Sequence, residues 1–268
     1  MKLGQVDFIN CLPINLPIEL GEVNIDSEII STVPSELNRL ILSGDIDIAP
    51  VSSFTYLENK DKLEPIADLC IASNGPADSV LLFSHFPIEE LDGAKIALTY
   101  ASATSNKLLE IIFREFLKVK VTLNIKNLTL NELSKEYPAS LFIGDHALLE
   151  FSKKPRNLFI YDLGALWKKY TNLPMTFGVW VIRKEARMQE SNEVSILVER
   201  LREAKELGLG TMFDKVVKLA QKKVLLPQEF YETYFQHLSY EFTGECKKGL
   251  ELFEDYCKKI KTIEAFAT

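Results

Sequence analysis

The sequence predicts an α/β protein built as two lobes and finished by a helical tail. Three observations lead there. Short apolar strands alternate with amphipathic helices near the N-terminus and again from Lys95 to Ile182, an order that builds a mostly parallel sheet covered on both faces. From Glu185 onward the pattern turns almost wholly helical. The chain has 268 residues, 47% hydrophobic and 26% charged, which suits one large domain or two smaller ones with a buried core.

The elements follow in order. Lys2–Phe8 alternates as a short strand. Ile9-Asn-Cys-Leu-Pro13 is a loop, and Pro13 or Pro17 starts a short helix, since proline suits the first helical position. Val23–Thr32 reads as a second strand. A helix over Ser35–Ser43 is ended by Gly44. Asp45–Pro50 is a brief strand, and Val51–Leu57 a loop and helix start. Leu63–Ser73 and Asp78–Phe83 are strands around the turn Asn74-Gly75-Pro76. Ile88–Leu91 is a helical turn. The second alternation runs strand Ile96–Leu98, helix Ser105–Phe116, strand Lys120–Ile125, helix Asn131–Glu136, strand Ser140–Ile143, helix Asp145–Phe151, strand Leu158–Tyr161, helix Leu163–Tyr170 and strand Thr176–Ile182. The tail offers helices near 191–207, 210–222, 227–237 and 245–260, punctuated by Gly208, Gly210, Pro227 and Gly244.

A net charge of −7 argues against a nucleic acid or an anionic membrane as the main partner. It does not exclude small anions, which local dipoles can hold. Met1-Lys-Leu-Gly-Gln-Val-Asp7 sets an acid where a signal peptide should continue apolar. No apolar run approaches the ~18 residues of a membrane span, so a cytoplasmic protein is expected. The cysteines, Cys11, Cys70, Cys246 and Cys257, form no CxxC pair. With three scattered histidines they do not read as a zinc site. Reduced thiols, no metal and no cofactor are expected.

Loops after strands are where an open α/β sheet binds its ligand, here in a cleft expected between the lobes. They carry Asn10-Cys11, Pro50-Val-Ser-Ser53, Ser73-Asn-Gly75, Ser84, Thr99–Ser105 and Gly144-Asp-His146. These are rich in hydroxyls and amides and poor in Lys and Arg, the lining of a site for a small polar molecule. The stretch Ile96–Phe116 stands out. An apolar strand passes through Ser102, Thr104 and Ser105, all cap-forming residue types, into a helix with Leu108, Leu109, Ile112, Phe113 and Phe116 on one face. The free N–H groups and dipole of such a helix start suit an anion.

Several stretches together resemble the chorismate dehydratase family of the futalosine route to menaquinone. They are Val6-Asp-Phe-Ile-Asn-Cys-Leu-Pro13, Gly44-Asp-Ile-Asp-Ile-Ala-Pro-Val-Ser-Ser53, Asp78-Ser-Val-Leu-Leu-Phe-Ser84, Ile96-Ala-Leu-Thr with Thr104-Ser105, Ile143-Gly-Asp-His-Ala-Leu148, Tyr161-Asp-Leu-Gly164 and Leu173-Pro-Met-Thr-Phe-Gly-Val-Trp-Val181. The resemblance spans roughly residues 3–184; the helical tail is less diagnostic. It implies a periplasmic-binding-protein-like (type 2) fold. Crossovers near Asp92–Lys95 and Pro174–Gly178 would give a discontinuous lobe I over 1–94 and 178–268, with the tail packed on it, and lobe II over 95–177. It also implies dehydration of chorismate to 3-[(1-carboxyvinyl)oxy]benzoate. A monomer or homodimer is expected. A sister enzyme that splits cyclic dehypoxanthine futalosine with a histidine base shares the fold, and His146 keeps it in view. A small-anion binding protein without chemistry is the alternative from another class.

On this reading Asn10 and Ser84 are the catalytic candidates. Asn10 would donate to the hydroxyl leaving C4 or fix the ring. Ser52, Ser53, Thr104, Ser105, Asp145 and His146 are expected to bind substrate. Few titratable groups stand in the strand-end loops: Asp145, His146, His85 and, weakly, Cys11. Chorismate brings its own enolpyruvyl carboxylate close to the C3 proton, so the substrate is expected to serve as base, with His146 as the rival. Cys11 is expected to be a buried, inert thiol, and Trp167 and Trp180 core residues. His85 and His237 are expected at surface or structural positions.

Overall fold

The structure is a computed structural model that describes residues 1–189 and 191–266. In chain order the elements are β1 (Lys2–Val6), α1 (Leu12–Glu19), β2 (Glu28–Thr32), α2 (Pro34–Ser43), β3 (Ile48–Ser52), α3 (Ser53–Glu58), β4 (Leu63–Ser73), β5 (Val80–Ser84), β6 (Lys95–Leu98), α4 (Ala103–Ile111), β7 (Thr122–Ile125), β8 (Ala139–Ile143), α5 (Gly144–Ser152), β9 (Phe159–Asp162), α6 (Leu163–Thr171), β10 (Met175–Arg183), α7 (Lys184–Gln189), α8 (Ser191–Leu209), α9 (Phe213–Lys223), α10 (Gln228–His237), β11 (Leu238–Glu241) and α11 (Gly244–Phe266). Among the described residues no helix is long and apolar enough to cross a membrane.

The chain forms two compact units. One holds Met1–Ala72 and Phe177–Thr243, the other Ser73–Thr176 and Gly244–Thr268. This differs from the expected division at residue 94 with the tail on the first lobe. The reason is pairing: β5 lies between β8 and β9 in the second sheet, so the segment from Ser73 belongs there. The tail divides as well. Its helices through α10 stay with the first unit, and α11 joins the second, where it packs against α4. The passage between Thr176 and Phe177 falls inside the 174–178 stretch.

The first sheet has the order β11-β4-β10-β3-β1-β2. β1 runs parallel to β2 and β3, and β10 runs antiparallel to β3. Gly4 explains how closely α2 covers it: a Cβ there would lie 2.8 Å from both Ala49 Cβ and Leu37 Cδ2. Leu37, Ile41, Ile46 and Ile48 are fully buried around that contact, and each such side chain stabilises the fold by about 1.5–3 kcal/mol. α2 ends where Gly44 turns left-handed, φ +88°, as expected from its sequence.

The second sheet has the order β7-β6-β8-β5-β9. β6 is parallel to β7 and β8, while β5 is antiparallel to both β8 and β9. Both sheets are therefore mixed. Phe83 and Phe142 meet edge to face at 5.3 Å in the core of this unit. Trp167 is fully buried, donates its indole N–H to Pro174 O at 3.1 Å, and touches Phe116, Phe253 and Tyr256. Both tryptophans are core residues, as expected. α11 reaches this cluster closely because Gly249 has no Cβ, which would stand 2.0 Å from Pro174 O.

Some expectations fail locally. β2 starts at Glu28, not Val23. The expected helix over 131–136 is a single 3-10 turn, Leu130–Glu132, held by a reciprocal cap between Thr129 and Glu132. The expected Ser105–Phe116 helix starts at Ala103, and Ile112–Leu117 widens into a π-helix that stops at left-handed Lys118. The expected tail helices over 227–237 and 245–260 leave a gap, and that gap holds β11.

Candidate active site

In the first unit the carboxyl ends of β1, β2 and β3 lie along one edge, because the three strands are parallel. β10 begins there too, since Gly178 pairs with Ser52. After β1 the chain makes one 3-10 turn, Ile9–Cys11, which carries Asn10. Asn10 Oδ1 is buried and accepts no hydrogen bond among the described residues. A buried unsatisfied acceptor costs about 1–3 kcal/mol, so its presence at a strand end points to a ligand donor. Gln5, on the strand that leads to this turn, also keeps a polar atom in reserve: its Nε2 is buried and has no hydrogen-bond partner among the described residues, while its Oε1 accepts from Ser31 Oγ at 3.4 Å.

Ser52 and Ser53 are differently employed. Ser52 Oγ accepts from Asn38 Nδ2 at 3.3 Å and from Thr55 N at 3.4 Å, and is hydrogen-bonded to Thr55 Oγ1 at 2.8 Å. Ser52 N donates to Asn38 Oδ1 at 3.1 Å. The residue caps α3 and ties it to α2. Ser53, the first residue of α3, is fully buried. Cys11 is buried too, as expected.

In the second unit the ends of β6 and β8 meet the start of β5 along one edge, because Val80 pairs with Ile143. Ser102 caps α4: its Oγ accepts from Ser105 N at 3.1 Å and donates to Ser105 Oγ at 3.0 Å. Thr104 and Ser105 are therefore the second and third residues of the helix and are buried. The N–H of Ser105 is taken by the cap. Gly144 takes φ +56° between β8 and α5, and its N–H donates to Ser79 O at 2.8 Å. Asp145 follows in the first turn of α5, a placing that suits the helix dipole. His146 is half exposed and lies edge-on to Phe142 at 4.9 Å, its Nε2 3.5 Å from Oε1 of buried Glu150.

Ser84 does not lie on this edge. It pairs with Ala139, the first residue of β8, while Val80 pairs with the last. Since β5 runs antiparallel to β8, Ser84 stands about 13 Å along the strand from the helix starts. Its Oγ donates to Phe86 O at 2.7 Å and accepts from Phe86 N at 3.1 Å, closing a turn. The serine that does reach the edge is buried Ser79, just before β5. Its surroundings are braced by Asp162, which caps α6 and accepts from Ala77 N, Asp78 N and Ala165 N at 2.6–3.0 Å. Burial pushes the Asp162 carboxyl above the ordinary carboxylate range, and those three N–H groups pull it back. Gly164 lets α6 begin there, since a Cβ would stand 2.5 Å from Ser73 Oγ and 2.6 Å from Gly75 O. Ser79 and Asp162 both lie within stretches that carry the family resemblance; Asn38 carries no sequence signal of its own.

A family described as menaquinone biosynthesis matches residues 1–259. The chain belongs to that family. Within the menaquinone-biosynthesis family, a chorismate dehydratase of Thermus thermophilus is 32% identical over 94% of this chain and 93% of its own. The architecture recurs in a crystal structure of a protein from Archaeoglobus fulgidus, with TM-score 0.78 and 17% identity over 97% of each chain. It recurs also in the periplasmic aliphatic sulphonate-binding protein of Escherichia coli, with TM-score 0.64 and 12% identity over 98% of this chain and 87% of that one. The family chain described here thus has a periplasmic-binding-protein-like fold.

Proposed function

We propose that this chain is a chorismate dehydratase, a carbon–oxygen lyase of menaquinone biosynthesis. The observation that carries the reading is the Thermus relative, similar along nearly the whole of both chains. The strand-end chemistry supports it, being made of amides, hydroxyls and helix starts.

In the reaction the C3–H bond breaks and its electron pair forms the C3–C4 double bond. The C4–O bond breaks with its pair on oxygen, and the proton and hydroxide leave as water. The ring becomes aromatic, so the barrier lies mainly in proton transfer. We assign the proton to the substrate's own enolpyruvyl carboxylate, held in reach by the site, because orientation alone supplies large rate factors. Asn10 binds the C4 hydroxyl. A primary amide can close a ring with one hydroxyl, Oδ1 accepting its O–H while the amide N–H donates to the departing oxygen. The unpartnered Oδ1 of Asn10 supports that role. Ser79 takes the place expected for Ser84, and the start of α4, with Thr104 and Ser105 in its first turn, receives a carboxylate. Asp145 stands at the start of α5, where a carboxylate would repel the anionic substrate. A cytoplasmic location goes with this reading.

His146 as base is the second reading, favoured by its pairing with buried Glu150. Its half-exposed position speaks against it. Incubation of purified protein with chorismate should yield an aromatic absorbance without added metal or nucleotide. Absent turnover, with tight binding of another small anion, would overturn the assignment.

A further inference from the structure

We propose that Tyr240, in the helical C-terminal third of the first unit, is a positioning residue for Asn10; this rests on the reading of Asn10 as the group that binds the substrate hydroxyl. Tyr240 Oη donates to the main-chain O of Asn10 at 2.9 Å. The tyrosine is 3% exposed and stands on β11, the edge strand beside β4. Its neighbours Tyr234 and Cys11, with burial first among the causes, hold the phenol well above the ordinary tyrosine range. It is therefore a neutral O–H donor at neutral pH.

Asn10 needs such a brace. It sits in the middle of a single 3-10 turn, Ile9–Cys11, whose N-cap Phe8 contributes no side-chain bond. Short 3-10 turns have poor hydrogen-bond geometry. The turn is reached from β1 and passes straight into α1, so a rotation of the Asn10 peptide would swing its side chain. The Tyr240 bond fixes that peptide at the carbonyl of Asn10 itself. A displacement of about 1 Å at a reacting group can lower a rate by ~10²-fold.

The molecule supplies a matched control. Tyr231 Oη donates to Val224 O at 2.7 Å; it is also fully buried and in the same unit. Tyr240→Phe and Tyr231→Phe each remove one buried phenol-to-carbonyl bond, so they should lower Tm alike. Only Tyr240→Phe should lower kcat, by roughly tenfold or more, with KM for chorismate changed less than about threefold. In an Asn10→Ala background the further loss from Tyr240→Phe should nearly vanish, as expected of groups that act together. Wild-type kcat in folded Tyr240→Phe, an equal loss in Tyr231→Phe, or independent multiplication with Asn10→Ala would each overturn the proposal. A second readout needs no turnover. The Asn10 side-chain amide resonances should shift or broaden in Tyr240→Phe and stay put in Tyr231→Phe; unmoved resonances would overturn the positioning role. If the wild-type protein did not dehydrate chorismate, the functional reading would fall while the resonance test still decided the Tyr240 contact.

Discussion

Asn10, Ser79 and His146 carry distinct predictions at the residue scale. Asn10→Ala should lower kcat by an order of magnitude or more while leaving the folded state intact, because the deleted amide is half buried and leaves a small cavity. Steady-state kinetics on folded protein tests this. Ser79→Ala should reduce turnover, whereas Ser84→Ala should leave kcat near wild type and lower Tm by a few degrees, since it removes only the turn bonds to Phe86. The reverse ranking in the same assay would return Ser84 to the site. His146→Ala should keep most activity; a folded, substrate-binding but nearly dead variant would make His146 the base. The two serines show the limit of reading residues alone. Both lie in one stretch, Asp78–Ser84, and alternation marks the strand but not its direction. Only the antiparallel pairing with β8 decides which end meets the helix starts.

Elements were legible where their signals are local. Gly44 ending α2 and the strands flanking α4 follow from caps, turns and periodicity. β11 was not legible, because four residues between two helical patterns give no period to read and gain their strand form from β4. The sense of β5 was hidden for the same reason, since partners far along the chain set it. α4 itself supports a direct test. Ser102→Ala removes its only described side-chain cap and should lower stability by about 1 kcal/mol, visible as an earlier denaturation midpoint. β11 supports another, through pH. Tyr240 has a folded pKa raised above its unfolded value, so the native state keeps a proton the unfolded chain gives up. That contribution is fully present below about pH 10 and declines as pH rises beyond it. The fall of stability in alkali should therefore be shallower in Tyr240→Phe than in the wild type, as measured by denaturant unfolding between about pH 9 and 11.

At the scale of the whole molecule, fold class was legible from the alternation of strands and helices, but the division into units was not. The chain passes between the units after Ala72, Thr176 and Thr243; only the second of these passages was expected as a crossover, while the turn at Asn74-Gly75-Pro76 and Gly244 read as local punctuation. Removing residues 244–268 should damage the second unit selectively, since α11 covers Trp167 through Phe253 and Tyr256. Trp167 fluorescence should then shift to the red in a Trp180→Phe background; an unshifted spectrum would contradict the packing. The sheet orders bear also on synthesis. Every strand of the second sheet lies between Val80 and Asp162, in one unbroken run. The first sheet is completed later: β10, placed between β4 and β3, leaves the ribosome only after that whole run, and β11 later still. Until then β3 and β4 each present an edge with no neighbour, a hazard for association between nascent chains. The second sheet, complete first, should therefore be the first to set. In ribosome-arrested chains exposed through Thr176, amides of β5, β6 and β8 should resist exchange while those of β1 and β2 remain open, and equal protection of both sheets at that length would contradict this order.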